Sequence, residues 1–177
     1  MSSSFRANPP TSVEFAPYYA GYISRVPAGD IVETLKRQHP QMVALISSLS
    51  AEQAAFRYAP GKWSAREVVG HVIDAERIFA YRALRVGRND KTPLPGFEEN
   101  DYVANGNFEE RAVADLAADF DHLRTTTIDL FRQFTQDAWL YTGIANAFDI
   151  SVRSIAWIIA GHELHHREIL TTRYLKK

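Results

Sequence analysis

The sequence predicts an all-α fold, a four-helix bundle. Three observations lead there. Four long stretches carry apolar residues at helical spacing. No segment has a convincing period-two strand pattern. The breaks between the stretches hold the Pro, Gly and Asn residues expected of connections. At 177 residues, 46% of them hydrophobic, with 10 Phe, 8 Tyr and 3 Trp, one domain with a substantial core is expected.

The first helix is expected from Asp30, an N-cap behind Pro27-Ala28-Gly29, to about Leu49. Ile31, Leu35, Met42, Leu45, Ile46 and Leu49 form its apolar face, and Pro40 is expected to kink or split it. The second opens at Ser64, where Glu67 three residues later completes a capping box, and runs to about Val86, stopping before Gly87. The third spans about Phe108 to Phe134, with Val113, Leu116, Phe120, Leu123, Ile128 and Phe131 at helical spacing. The fourth starts near Ser151 and carries Ile155, Ile158, Ile159, His162, His166, Ile169 and Leu170 on roughly one side. Residues 50–63 hold the turn Pro60-Gly61-Lys62-Trp63, and 136–150 form a short link. Residues 87–107, rich in Gly, Pro, Asn and Asp, read as a long structureless loop of the kind that serves as a lid, bordering the functional site. Residues 1–29, with Phe15, Tyr18, Tyr19 and Tyr22, are expected to drape over the bundle formed by 30–177.

Composition excludes several functions. The net charge of −1 and the scattered Lys and Arg give no basic stripe for nucleic acid. The absence of Cys removes disulfides, thiolate zinc sites and a cysteine nucleophile. No signal peptide is evident, and no apolar run approaches the ~20 residues that span a membrane, so a cytoplasmic protein is expected.

Three of the six histidines lie in Gly161-His162-Glu163-Leu164-His165-His166-Arg167. His162 and His166 are four apart and share a helix face, one turn above the other, a geometry suited to one metal ion. The string also satisfies the zinc-protease pattern His-Glu-x-x-His. That pattern needs a third ligand downstream. Eleven residues follow His166, without Gly or His, and Glu168 lies only two positions on, on the same helix. A third ligand must therefore come from upstream, and His71, among Val68, Val69, Val72 and Ile73, is the candidate. A lone His there would read as a satisfied core residue, whereas paired with His-x-x-x-His on another helix it completes a metal set. Three imidazoles leave a position open for water or substrate, the layout of a catalytic zinc site.

Trp63-Ser64-x-x-Glu67 leading into Gly70-His71, then Asp74 and Glu76, resembles the second helix of the DinB/YfiT-like superfamily, and His162-x-x-His165-His166-Arg167 resembles the signature on its last helix. The resemblance runs from about Asp30 to the end. It implies a four-helix bundle, often a homodimer, that binds a divalent metal, nickel or zinc, through His71, His162 and His166, with His165 outside the ligand set. It also implies a small-molecule substrate and, in characterised members, a low-molecular-weight thiol of the bacillithiol or mycothiol type, transferred to an electrophile or used in isomerisation. A metal-dependent hydrolase is the alternative, and a non-catalytic, metal-stabilised binding or stress-response module a third.

The neighbouring charges have two readings each. Asp74, one turn after His71, would orient a ligand or take a proton; otherwise it pairs with Arg77 or Arg82. Arg82 shares the approximate face of His71 and would bind an anionic substrate group; otherwise it pairs at the surface. Glu163 is expected off the core, solvated or in an interhelical salt bridge. His39 and His122 lack partners at ligand spacing and read as ordinary histidines.

Overall fold

The computed structural model describes residues 4–175. Four long helices build the bundle: α1 (Ile31–Ser47), α2 (Ala65–Gly87), α3 (Val113–Gln133) and α4 (Val152–Ile169). Their starts are fixed by local chemistry. The Asp30 carboxylate accepts from the Val32 and Glu33 amides. Ser64 and Glu67 form a reciprocal capping box, as do Ser151 and Ser154. α4 ends in a wider π-helical turn, Leu170–Tyr174.

Several expectations need correction. Pro40 does not split α1, which runs unbroken through it. Pro40 and Lys36, whose carbonyl loses its intrahelical donor, both lie on the exposed side of α1, where the lost hydrogen bond costs least. Phe108–Glu110 is a separate 3-10 turn ahead of α3. Residues 136–150 are not a plain link. They form a short helix, Gln136–Leu140, and a β-hairpin of β1 (Thr142–Ala145) and β2 (Phe148–Ser151), with Gly143 opposite Ile150. The turn residues Asn146 and Ala147 both have positive φ, 51° and 65°, the combination a two-residue hairpin turn of matching twist needs. Nor is 87–107 structureless. Leu94 bridges to Ala145 of the hairpin, and Glu99–Asn105 is helical.

The packing order decides what meets at the centre. α1 lies against α3 and α4, and α2 against α3 and α4, so sequential helices α1 and α2 sit diagonally, as do α3 and α4. α2 and α4 are thereby neighbours along their length. Two apolar clusters fill the bundle. One contains Ile31, Leu35, Phe79, Phe131, Ile155 and Ile159. The other contains Met42, Ile46, Val69, Ile73, Phe120 and Leu170. Between them each helix contributes buried polar residues: Gln38 from α1, His71 and Glu76 from α2, Arg124 from α3, and His162, Glu163 and His166 from α4. The N-terminal segment lies against this layer, its helical turn Ala20–Ile23 packing directly on α4. No helix among the described residues is long and apolar enough to cross a membrane.

Candidate metal centre

The middle polar layer divides into two clusters of different character. The first is an ion-pair cluster. Arg124 donates Nε and Nη2 to the two carboxylate oxygens of Glu76 at 2.8 and 2.7 Å, and Nη1 to Glu163 at 2.5 Å. All three side chains are at most 3% exposed. Glu163 is thus in an interhelical salt bridge but not off the core. α4 is buried on every side from Ser154 to Glu163, so the residue after His162 cannot reach water and turns to α3 instead. Burial holds the Glu163 carboxyl above its ordinary range although Arg124 acts in the opposite direction.

The second cluster is the histidine triad. His71, His162 and His166 are all buried, and ring nitrogens from the three lie within 4.8 Å of one another. The Nε2 atoms of His71 and His162 face each other at 3.0 Å. His166 Nδ1 is buried without a partner. Burial lowers the affinity of each imidazole for a proton; His71, with His165 adding to the effect, is pushed down to about 4. His162 and His166 fall well below the usual range, from burial and then from each other or His71. All three are neutral at pH 7. Three neutral imidazoles converging on one point, one nitrogen orphaned, form a donor set that fits a divalent cation. No fourth His, Asp, Glu or Cys joins the cluster among the described residues.

Aromatic rings fix the imidazoles. Tyr22 meets His162 edge-on at 5.3 Å and reaches His165 at the same distance, and the Trp63 ring lies 4.9 Å from His71. Tyr22 comes this close because Gly161 has no Cβ: one placed there would sit 2.1 Å from the Tyr22 carbonyl oxygen. A cavity of about 340 Å³ opens from His71 and His162 along α2, walled by Tyr18, Tyr19, Tyr22, Ala75, Phe79 and Arg82 on one side and by Gly96, Phe97, Glu99 and Asn146 on the other. The 87–107 segment therefore does border the histidines. A second cavity, about 270 Å³, reaches His166 between Trp63, Tyr58 and Tyr174, and Glu99 lines both.

Asp74 takes the other of its two readings. Its carboxylate is 3.1 Å from Arg77, is partly exposed, and is not part of either cavity wall. Arg82 is not at the surface; it is 2% exposed and lines the first cavity. His39 lies 2.7 Å from an Asp121 carboxylate oxygen, and His122 is exposed. Sequence reading overlooked Arg124, although Phe120, Arg124, Ile128 and Phe131 follow one another at helical spacing, so a cation on the apolar stripe was visible. Glu99 carried no such signal, since its place depends on how the connection folds back.

By class, then, this is a helical bundle with a buried trihistidine centre, suited to a divalent metal and open to cavities of small-molecule size. The profile of the DinB superfamily matches residues 34–170, and the chain belongs to that superfamily. Solved structures similar in fold include YfiT from Bacillus subtilis, described as a probable metal-dependent hydrolase with an unusual four-helix bundle topology. It has a TM-score of 0.67 and 16% identity, covering 92% of this chain and 89% of that one. Another is the mycothiol-dependent maleylpyruvate isomerase, with a TM-score of 0.66 and 12% identity, covering 82% of this chain and 61% of that longer one. Among curated proteins none matches the chain.

Proposed function

We propose that His71, His162 and His166 hold a zinc or nickel ion, and that the protein is an enzyme transferring a low-molecular-weight thiol to a small electrophilic substrate. The observation that carries this reading is the buried, neutral triad, without a fourth protein ligand among the described residues, lining two cavities, one at His71 and His162 and the other at His166. A structural site would be closed by a fourth ligand. A divalent ion held by three imidazoles supplies a Lewis acid with an exchangeable position, where the pKa of a thiol or a water is lowered.

The chain's own residues favour a thiol as the group activated. The carboxylates nearest the triad in sequence are paired elsewhere, Glu163 with Arg124, Glu168 with Arg25 and Asp74 with Arg77, so none of the three is poised as a base for water. A thiol is far more acidic than water and has less need of such a base. The chain has no cysteine, so a sulfur nucleophile has to arrive with a cosubstrate. One cavity reaches His71 and His162 and the other reaches His166, which gives separate space for two reactants. The mycothiol dependence of one structural relative is in line with this.

One observation favours a hydrolase instead. Glu99 lines both cavities, and burial, with Glu98 beside it, raises its carboxyl above the ordinary range, the property of a base for water. Cobalt- or nickel-substituted protein separates the two readings. Mycothiol or bacillithiol is expected to shift the ligand-field spectrum, and an unchanged spectrum at saturating thiol would remove the transferase reading.

A further inference from the structure

Arg82 and Arg124 are both fully buried arginines, but only one of them is neutralised. Arg124 sits between two carboxylates. No carboxylate oxygen among the described residues lies within the 4.0 Å ion-pair distance of the Arg82 guanidinium. Its Nη2 donates to the Pro95 carbonyl at 2.7 Å, the neutral Tyr19 hydroxyl lies beside it, and its buried Nε has no partner. The Phe79 and Phe97 rings, with centroids 5.7 and 5.8 Å from the guanidinium carbon, stabilise the cation in part without cancelling its charge. A desolvated, uncompensated cation is costly to bury and is rarely found without a partner.

We propose that the cavity end at Arg82 is a receptor for the carboxylate of a small organic monocarboxylate, whose opposite end lies at the histidines. The assignment rests on the cavity being the substrate space of the trihistidine centre. His71, Ala75, Phe79 and Arg82 recur at four- and three-residue steps and line the cavity from a single face of α2. Eleven residues of helix separate the first from the last, about 16 Å between Cα atoms, and the Arg82 side chain leans back toward the helix N-terminus and the histidines. On the α2 side the stretch between the two ends is apolar, formed by Ala75 and Phe79, while Tyr22, Glu99 and Asn146 bring polar groups from the other walls. The ligand therefore has an apolar edge toward α2, an anion at one end and a reactive group at the other.

The surrounding donors favour a carboxylate over a more highly charged anion. Arg82 presents a planar fork with one positive charge. Tyr19 lies against it, and burial together with the neighbouring Tyr18 hydroxyl keeps the Tyr19 phenol protonated, hence able to donate. The Asn146 amide reaches the Tyr18 hydroxyl at 3.4 Å. Arg82 is the cavity's sole Lys or Arg, while Glu99 adds a negative charge to its wall, which opposes a dianion.

The test is calorimetric, on the protein as purified, with ω-phenylalkanoates of increasing chain length, their neutral amides, and inorganic phosphate. At least one acid is expected to bind roughly 10- to 100-fold more tightly than its amide, the ratio a charge-assisted contact to Arg82 supplies. Arg82→Met should abolish that ratio by weakening the acid alone, and Arg82→Lys should keep part of it. Metal content, measured in parallel, should stay normal in both variants. Three results would overturn the receptor: no acid preferred over its amide by wild-type protein, an acid preference that persists in Arg82→Met, or phosphate displacing the acid at equal concentration. Persistence in Arg82→Met would make the metal the anion receptor. Loss of metal from wild-type protein would instead count against the trihistidine reading, so the two failures differ. Should Arg82→Met not fold, the acid-to-amide ratio of wild-type protein and its partial retention in Arg82→Lys decide the matter.

Discussion

Replacing Arg124 by Met tests the middle layer most severely. One cation serves two carboxylates, through two contacts to Glu76 and one to Glu163, all beyond the reach of water. Removing one partner of a buried ion pair costs about 3–5 kcal/mol. Here two carboxylates lose their counter-ion together, so the upper end, about 5 kcal/mol, is expected at pH 8. That is a large share of the 5–15 kcal/mol typical of a whole domain. The cost should depend on pH with a definite sign. Burial already raises the Glu163 carboxyl against the pull of Arg124, so without Arg124 it is expected to rise further. A group with a raised folded pKa contributes its full stability below the unfolded pKa and loses it as pH rises through the folded one. The variant's deficit should therefore shrink from pH 8 to pH 5, by up to about 1.4 kcal/mol per unit for that carboxylate. Urea unfolding of metal-free wild-type and Arg124→Met protein at four pH values measures it, and histidine protonation, common to both, cancels in the difference. The combined variant Glu76→Gln, Arg124→Met, Glu163→Gln should regain most of the loss, because replacing a whole buried ion cluster is often neutral. A deficit below about 1 kcal/mol that is flat with pH, or a combined variant as unstable as Arg124→Met, would refute the reasoning.

Three further outcomes are expected. His71→Ala or His166→Ala should abolish metal uptake by elemental analysis while His39→Ala leaves it intact; normal metal in His71→Ala would sink the triad. Gly161→Ala forces a Cβ to within 2.1 Å of the Tyr22 carbonyl, so Ala20–Ile23 must shift outward, at about 1–3 kcal/mol, with faster proteolysis of the N-terminal segment; an unchanged cleavage pattern would speak against its docking. In metal-free protein the unfolded histidines bind protons first, near pH 6.5, so stability should fall as pH drops through 6.5 toward the lower folded values. His71 alone, with a folded pKa of about 4, accounts for about 3 kcal/mol of that loss, and urea midpoints that stay level between pH 7 and 5 would contradict its burial as a neutral ring.

What could be read beforehand follows the range of the interactions. Helix starts at Asp30, Ser64 and Ser151 depend on a side chain and an amide two or three residues away, and the sequence shows both partners. The shared face of His162 and His166 is equally local. The hairpin escaped notice because Asn146-Ala147 lacks the glycine that usually marks such a turn, and Ala147 is held at positive φ by the strands on either side. A position about 100° round the helix from His162 puts Glu163 off a single apolar stripe, whereas the whole circumference of α4 between Ser154 and Glu163 is covered. The burial of Arg82 depends on Pro95, Phe97 and the hairpin closing over α2, a tertiary event with no local signature.

The two polar clusters of the middle layer bury similar numbers of titratable groups by opposite means, and the contrast separates structure from function. Around Arg124 one cation holds two carboxylates inside the protein, which fastens α2, α3 and α4 together, with Glu163 Oε1 as the one oxygen of the two carboxylates left without a hydrogen-bond partner among the described residues. The histidines have Nε2 facing Nε2 and a buried Nδ1 without a partner, and among the described residues no carboxylate pairs with Arg82, whose buried Nε has no partner. Unmet donors and acceptors in a dry interior are expensive. They persist together where something from outside completes them. The triad's donors suit a cation and the Arg82 guanidinium suits an anion, and one cavity along α2 is lined by both ends. A ligand that reaches both ends meets both needs, and this is the physical ground for placing the reaction in the cavity and the fold's rigidity in the Arg124 cluster.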